Sequence, residues 1–211
     1  MEHFQEAEEA DALLQQAEGG DPGAVNRLLQ MHERELLRYL RVRLPTRLQP
    51  RVDAADVVQE AFAEATRRFP EFLRERPLPF RLWLLQIGRD RLYMETRKHL
   101  HAARRSVARE LTISDESSIR LSSLLPATGS TPSRRVRREE AADKVRTALG
   151  MLEESDHEII LSRMMDDLSY ADIGLLQGCT AVSARKRFSR ALERLCDALV
   201  SLGWNDHDRA G

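Results

Sequence analysis

The sequence predicts an all-α protein built from two helical domains joined by a flexible linker. Three observations support this fold class. Ala, Leu, Arg and Glu, all good helix formers, dominate the 211 residues. Apolar residues recur at steps of three and four on both sides of a polar stretch, and runs of β-branched residues are scarce. That polar stretch is rich in serine and proline, which is typical of a linker.

Two helices are predicted before the first proline cluster. The first spans 4–18 and ends at Gly19-Gly20. The second begins at Asp21, which can accept a hydrogen bond as N-cap, with Pro22 at the first helical position. Its apolar stripe continues without interruption to Leu44, so one long helix is expected.

Two further helices complete the predicted N-terminal domain. Asp53 can cap the third, whose apolar residues lie on one face as far as Phe69. Residues 70–79 contain three prolines and are expected to form a connection. The fourth helix begins near Phe80 and reaches His99 or beyond, with Trp83 expected in the core.

These patterns divide the chain into four segments. Residues 1–110 form the first domain, 111–136 the linker, 137–203 the second domain and 204–211 a tail. In the second domain, a helix is expected from Arg137 to about Leu152. Ser155 with Glu158, and Ser169 with Asp172, have the capping-box spacing that begins a helix.

A helix-turn-helix motif is predicted at the end of the second domain. Gly178 stands where a left-handed residue ends a short helix, and Thr180 can cap the next one. In this motif the second helix enters the major groove of DNA. A three-helix bundle with a basic outer face is the alternative. The candidate DNA-binding residues are Thr180, Ser183, Arg185, Lys186, Arg187 and Arg190.

Charge is segregated along the chain, although the net charge is only −1. Residues 81–110 carry eight basic and three acidic side chains, and residues 180–195 carry five and one. Two basic faces on an otherwise acidic protein indicate two contacts with nucleic acid and another surface for a protein partner. Solvated charges on ordinary helices are the alternative for either segment alone.

The stretch from Leu168 to Leu195, LSYADIGLLQGCTAVSARKRFSRALERL, resembles region four of bacterial sigma factors. The resemblance implies that this segment reads the minus-thirty-five promoter element as duplex DNA. Two positions depart from the family pattern: Gly174 replaces the usual alanine, and Gln177 replaces an apolar residue. Both are expected to loosen the first helix of the motif without touching the reading face.

Two segments of the N-terminal half resemble sigma region two. The segment DAADVVQEAF, 53–62, is similar to the part that binds the clamp helices of the largest RNA polymerase subunit, which implies roles for Asp56, Gln59 and Glu60. First-turn carboxylates that complement the helix dipole are the alternative. The segment FRLWLLQIGRDRL, 80–92, followed by Arg97-Lys98, is similar to the part that melts and holds the minus-ten element. The implied single-strand contacts are Arg74, Arg76, Phe80, Arg81, Arg89, Asp90, Arg91 and Arg97.

The order of these segments resembles the extracytoplasmic-function (ECF) group of sigma factors. The resemblance implies an alternative sigma factor that directs RNA polymerase core enzyme to specific promoters. Its partners would be core polymerase, including the beta-subunit flap, and promoter DNA, and an anti-sigma factor is a further candidate partner. Asp90 and Met94 depart from the family pattern, which leaves the preferred minus-ten sequence open, and the linker ending TPSRR resembles planctomycete-type members. A helix-turn-helix regulator that never joins polymerase is the alternative.

Other classes of protein are disfavoured by what the sequence lacks. It has no glycine-rich phosphate loop and no nucleophile elbow, so no catalytic residue, cofactor or metal is expected. Cys179 and Cys196 have no metal-ligand spacing. The acidic N-terminus does not resemble a signal peptide, and no stretch reaches the ~20 apolar residues that span a bilayer. The expected location is therefore the cytoplasm, with no membrane contact.

Overall fold

The computed structural model describes residues 2–21, 23–45, 48–101, 118, 121 and 134–204. All regular secondary structure in this part of the chain is helical, which confirms the predicted fold class. Most of the predicted linker and tail lie outside the described residues. The helices are α1 (Glu2–Glu18), α2 (Ala24–Met31), α3 (Glu33–Arg43), α4 (Ala54–Glu75), α5 (Phe80–His101), α6 (Arg134–Gly150), α7 (Glu154–Met164), α8 (Tyr170–Gln177) and α9 (Ala181–Ser201).

Contacts divide the chain into two compact units. The first contains Met1–Leu40 and Val52–Glu95, and the second contains Arg41–Arg51 and Thr96–Gly211. In the first unit, α1 packs on α2. In the second, α9 is the central helix, because α6, α7 and α8 all pack against it.

The long second helix of the sequence prediction is two helices, and the prediction is wrong at His32. This residue ends α2 with φ −96° and ψ 3°, and its N–H donates to Leu29 O at 3.1 Å in a tightened last turn. Its ring contacts that of Phe80, with centroids 5.8 Å apart. The predicted cap is displaced as well: Asp21 accepts a hydrogen bond from Gly23 N at 2.8 Å, but the helix begins at Ala24.

Helix α4 begins as predicted but continues past its predicted end. Asp53 Oδ1 accepts a hydrogen bond from Ala55 N at 2.8 Å, which caps the first turn. The predicted connection at Pro70 is wrong, since the helix runs through this exposed proline to Glu75. An internal proline costs a helix about 3 kcal/mol. The buried rings of Phe69 and Phe72, on either side of it, offset that cost by packing on a cluster of aromatic side chains.

The aromatic cluster joins α4 to α5. The ring centroids of Phe72 and Trp83 are 4.5 Å apart, and those of Phe72 and Phe80 are 5.5 Å apart with their planes nearly perpendicular. Trp83 is buried, which confirms its predicted place in the core. The cluster fixes the orientation of α5, and with it the positions of the basic side chains on the outer face of that helix.

The start of α7 differs from the sequence prediction. Its N-cap is Glu153, with no side-chain capping bond, and Ser155 is exposed in the first turn. The predicted partner Glu158 instead forms an ion pair inside the second unit with Arg43, whose Nη2 lies 2.9 Å from Glu158 Oε1 and 2.8 Å from Asp166 Oδ2. A charged partner for Glu158 therefore replaces the predicted capping box.

Candidate nucleic-acid and partner-binding surfaces

The motif formed by α8, its turn and α9 begins with a capping box. Asp172 N donates to Ser169 Oγ at 3.1 Å, and Ser169 N donates to Asp172 Oδ2 at 3.3 Å, as the spacing predicted. Gly178 ends α8 in the left-handed region, with φ 63° and ψ 37°, which confirms the predicted turn. Thr180 then caps α9 by accepting a hydrogen bond from Ser183 N at 3.1 Å. Both helices of the motif therefore have defined starting points.

Gly174 allows the close approach between α8 and the turn. Cys179 N donates to Gly174 O at 2.8 Å. A Cβ atom at position 174 would lie 2.6 Å from the carbonyl oxygen of Cys179, closer than side-chain carbons come to backbone oxygens. The expectation that this glycine loosens the first helix is therefore corrected: it permits a tight turn.

One side of α9 is cationic and exposed to solvent. Lys186, Arg187 and Arg190 are exposed, while Ala184 and Ala191 are fully buried on the opposite side. Arg185 is also exposed, on the flank of this surface. The hydroxyl of Thr180 donates to Ser183 Oγ at 3.0 Å, so these two predicted DNA contacts lie together at the cap. The candidate residues of the C-terminal motif are thus brought onto one end of one helix.

Gln177 touches this surface, contrary to expectation. Its Oε1 accepts a hydrogen bond from Arg187 Nη1 at 3.5 Å, at the long limit for such a bond. The amide therefore links the last residue of α8 to a cation of α9. A glutamine in place of an apolar residue was noticeable in the sequence, but its partner, ten positions away on the next helix, was not.

The acidic candidate surface lies on α4 in the first unit. Asp56, Gln59 and Glu60 are all exposed, and Val57 and Val58 are buried on the other side of the helix. The predicted amphipathic arrangement is therefore present. The three polar side chains form an open acidic face that a basic protein surface could contact.

Two arginines of α5 are held by carboxylates within the first unit. Arg81 donates to Glu35 Oε1 from Nε at 2.7 Å, and its Nη2 lies 2.6 Å from the same oxygen. Burial raises the pKa of Glu35, but His32, whose Nδ1 lies 3.7 Å from Glu35 Oε2, and the hydrogen bond from Arg81 outweigh it and lower that pKa to about 2. Arg91 Nη2 similarly lies 2.6 Å from Glu64 Oε2. These two side chains therefore support the packing of α5 against its neighbours.

The remaining candidate contacts to the minus-ten strand differ in their exposure and in their ion pairs. Arg74, Asp90 and Arg97 are exposed, and Arg89 lies beside Asp90 with an Nε to Oδ1 distance of 3.9 Å. Arg76 follows α4 in the left-handed region, at φ 40° and ψ 54°, and forms an ion pair with Glu18.

Phe80 is a correction to the candidate list. Its side chain is only 4% exposed, because it packs in the aromatic cluster with Phe72 and Trp83. Its ring is therefore covered by protein and belongs to the core. Met94, which with Asp90 departs from the family pattern in the minus-ten segment, is half exposed.

The described residues contain neither a candidate metal site nor a membrane-spanning helix. Within them, no group of three or more His, Cys, Asp or Glu side chains could hold a metal ion. None of the described helices has the length and apolar character needed to cross a membrane.

Two family models match this chain. Sigma-70 region 2 matches residues 28–102, and Sigma-70, region 4 matches residues 142–195. Together they cover α4, α5 and α8 completely, and α9 as far as Leu195. The residues that carry the candidate surfaces therefore fall inside matched segments.

Similar proteins give the same result over nearly the full length. The ECF RNA polymerase sigma factor SigD of Mycobacterium tuberculosis is 25% identical over 201 residues, covering 94% of this chain and 87% of that protein. The ECF RNA polymerase sigma-E factor of Escherichia coli is 27% identical over 185 residues, covering 87% and 90%.

Among solved structures, CnrH in complex with the cytosolic domain of CnrY has a similar fold. Its TM-score is 0.56 at 22% identity, and the match covers 92% of this chain and 98% of that one. Family models and relatives agree on one assignment. The chain belongs to the ECF group of the sigma-70 family, and it is an alternative sigma factor, a non-enzymatic subunit that joins RNA polymerase core enzyme and directs it to promoter DNA.

Proposed function

We propose that the three charged surfaces divide the work of promoter recognition. Helix α9 reads the minus-thirty-five duplex, the outer residues of α5 hold the minus-ten strand, and the acidic face of α4 binds core polymerase. The observation that supports this most strongly is the capped α8–α9 motif, whose turn presents exposed cations at the start of its second helix.

The proposal for α9 rests on charge and position. Side chains near the N-terminus of a recognition helix contact base edges in the major groove. Lys186 and Arg187 lie in the second turn of α9, and both are exposed. Arginine can donate two hydrogen bonds to a guanine, while lysine can bind either a base or a phosphate.

The proposal for α5 separates binding residues from supporting residues. Asp90 and Arg97 are exposed and Arg89 is partly exposed, and these three are assigned to the single strand, together with the exposed Arg74 at the end of α4. Single-strand sites usually combine cations along the backbone with exposed ring faces. Arg81 and Arg91, which are held by carboxylates, are assigned to positioning α5.

Domain limits, location and further partners are also proposed. The boundaries 1–110, 111–136, 137–203 and 204–211 stand as the proposed organisation. The proposed location is the cytoplasm, where core polymerase and promoter DNA are found. An anti-sigma factor is a further proposed partner, which co-purification from the native host would reveal. The planctomycete-type likeness rests on linker residues alone, and neither relative above supports it.

Run-off transcription tests the proposed function directly. Purified full-length chain and core polymerase are incubated with a promoter library that is randomised at the two elements. Specific products that require both elements are expected. Transcription that ignores the minus-thirty-five sequence would contradict the role of α9. Failure of the chain to co-elute with core polymerase would favour the alternative, a regulator that acts without polymerase.

A further inference from the structure

Val182 is an exposed apolar residue in the first turn of α9. Its side chain is 65% exposed, so it contributes little to the core. A β-branched residue is also less favourable than alanine in a helix, because its χ1 angle is restricted. Scattered exposed apolar residues are ordinary on protein surfaces. The position of Val182 is what separates it from them.

Val182 lies on the cationic side of α9. It is four residues before Lys186, and side chains at this spacing are neighbours on one face of a helix. Helical side chains point toward the N-terminus, so the valine methyl groups lie ahead of the lysine on that face. Because Thr180 caps the helix, the first turn that carries Val182 is held in place.

The face that begins at Val182 changes charge along its length. Lys186 follows in the first half, whereas Glu193 and Asp197 are exposed in the second half. Carboxylates repel the phosphate backbone, so only the first half of this face suits a DNA groove. Val182 belongs to that half.

We propose that Val182 is a specificity-determining residue that contacts the C5-methyl group of a thymine in the minus-thirty-five duplex. The inference rests on the proposed entry of α9 into the major groove. On that side of the base pairs, the thymine methyl group is the apolar feature that a valine can recognise. Contact with it makes a T·A pair preferred at one position.

Replacing thymidine by deoxyuridine tests this contact, because the two nucleosides differ only in the C5-methyl group of the base. Each thymine of the selected minus-thirty-five element is replaced in turn, and binding of the full chain assembled with core polymerase is measured. Loss of one buried methyl group should weaken binding about fourfold at a single position. The Val182→Ala variant should bind the thymine and deoxyuridine duplexes equally well at that position.

Val200→Ala is a matched control on the same helix. Val200 is also 65% exposed. It lies 18 residues after Val182, which is five full turns, so the two valines share a face about 27 Å apart. The control should keep the fourfold discrimination, and both variants should melt at similar temperatures because exposed valine-to-alanine changes favour helix slightly.

Three results would overturn the proposal. The first is a wild-type complex that binds every deoxyuridine duplex as well as the thymine duplex. The second is a Val182→Ala variant that keeps the discrimination. The third is a Val182→Ala variant that binds core polymerase more weakly in the absence of DNA, which would assign the residue to a protein interface.

A Lys186→Ala variant measured alongside distinguishes this inference from the proposed function. Weaker duplex binding in that variant, together with unchanged discrimination in Val182→Ala, would leave α9 in the groove and reject only the valine contact. No effect of either substitution on duplex binding would reject the proposed role of α9 itself.

Discussion

Helix α5 of the first unit and helix α9 of the second differ in how many of their basic side chains are paired with carboxylates. In the first unit, Arg81 and Arg91 of α5 are bound to Glu35 and Glu64 on neighbouring helices. In the second unit, Lys186 and Arg190 of α9 are exposed and have no ion pair with a carboxylate among the described residues, whereas Arg194, farther along the same helix, pairs with Asp156 of α7. A count of basic residues therefore overstates the cations available to DNA wherever the fold supplies carboxylates to hold them.

The exposed acidic face of α4 is the proposed surface for core polymerase. Reversing its charge should have the largest effect on binding. We expect Asp56→Lys combined with Glu60→Lys to weaken binding to core polymerase by several kcal/mol, because like charges would then meet across the interface. A competition assay for core enzyme measures the change. Glu8→Lys with Glu9→Lys, exposed carboxylates on α1, makes the same change in net charge and should leave affinity unaltered. If both double variants bind core polymerase with equal affinity, α4 is not part of the interface.

The ion pair between Glu35 and Arg81 should stabilise the first unit. Glu35 has a folded-state pKa of about 2 against an ordinary value of 4.5, so it stabilises the fold above pH 4.5 and this contribution is lost as pH falls towards 2. The shift corresponds to about 3 kcal/mol. Glu35→Gln should therefore lower the free energy of unfolding at pH 7, and the difference from wild type should shrink in acid.

Glu33→Gln provides the control for that measurement. Glu33 lies in the same first turn of α3 but is exposed. Urea unfolding of the two variants at pH 7 and pH 3 is the comparison to make. A stability difference for Glu35→Gln that stays constant with pH would show that its ion pair with Arg81 does not stabilise the unit.

Removing an exposed cation of α9 should weaken DNA binding without changing the stability of the fold. We expect Arg187→Ala to cost ~1–3 kcal/mol and to relax preference at one base pair, since Gln177 helps to orient its guanidinium near the helix start. Arg190→Ala should weaken all sequences alike and flatten the salt dependence by about one unit of slope. Affinities measured at several salt concentrations separate the two.

Arg91→Ala tests the same contrast on α5, where the cation is paired with a carboxylate. Its guanidinium is already bound to Glu64, so the salt dependence of promoter binding should change less than it does for Arg190→Ala. If the two variants flatten the slope equally, pairing with a carboxylate does not withdraw a cation from DNA, and the distinction between the two helices fails.

The smallest expected effect concerns the turn of the motif. Gly174→Ala should destabilise the second unit by about 1 kcal/mol, because the clash with the Cys179 carbonyl exceeds the gain in helix propensity. Gly150→Ala, where an added Cβ meets no atom within 4 Å, should be stabilising instead. Opposite signs in thermal melts are the expected result. Stabilisation by both would mean that the turn has room for alanine.

The sequence predicted the features that adjacent residues determine. Ser169 and Asp172 form a capping box, and Gly178 turns the chain, because each depends only on its immediate neighbours. Ser155 and Glu158 have the same spacing, but Glu158 binds Arg43, 115 positions away. A capping signal read from spacing alone cannot register such a distant partner.

The end of a helix likewise depends on distant partners as well as on adjacent residues. Pro70 is a local breaker, yet α4 continues through it because Phe69 and Phe72 pack on rings from α5. The same packing places Phe80 in the core rather than against DNA. Apart from the break at His32, the helices and the segments that carry cations were thus predictable. Which side chains remain available to partners depended on tertiary contacts.

The chain has two tryptophans, and each unit contains one of them. Trp83 lies in the aromatic cluster of the first unit, and Trp204 is buried after α9, where its backbone N–H donates to Leu199 O at 2.9 Å. Each unit therefore carries its own intrinsic fluorophore. Single-tryptophan variants, with the other residue changed to phenylalanine, would report the unfolding of one unit at a time. Coincident emission transitions would mean that the units unfold cooperatively, and separate ones that each melts as an independent body.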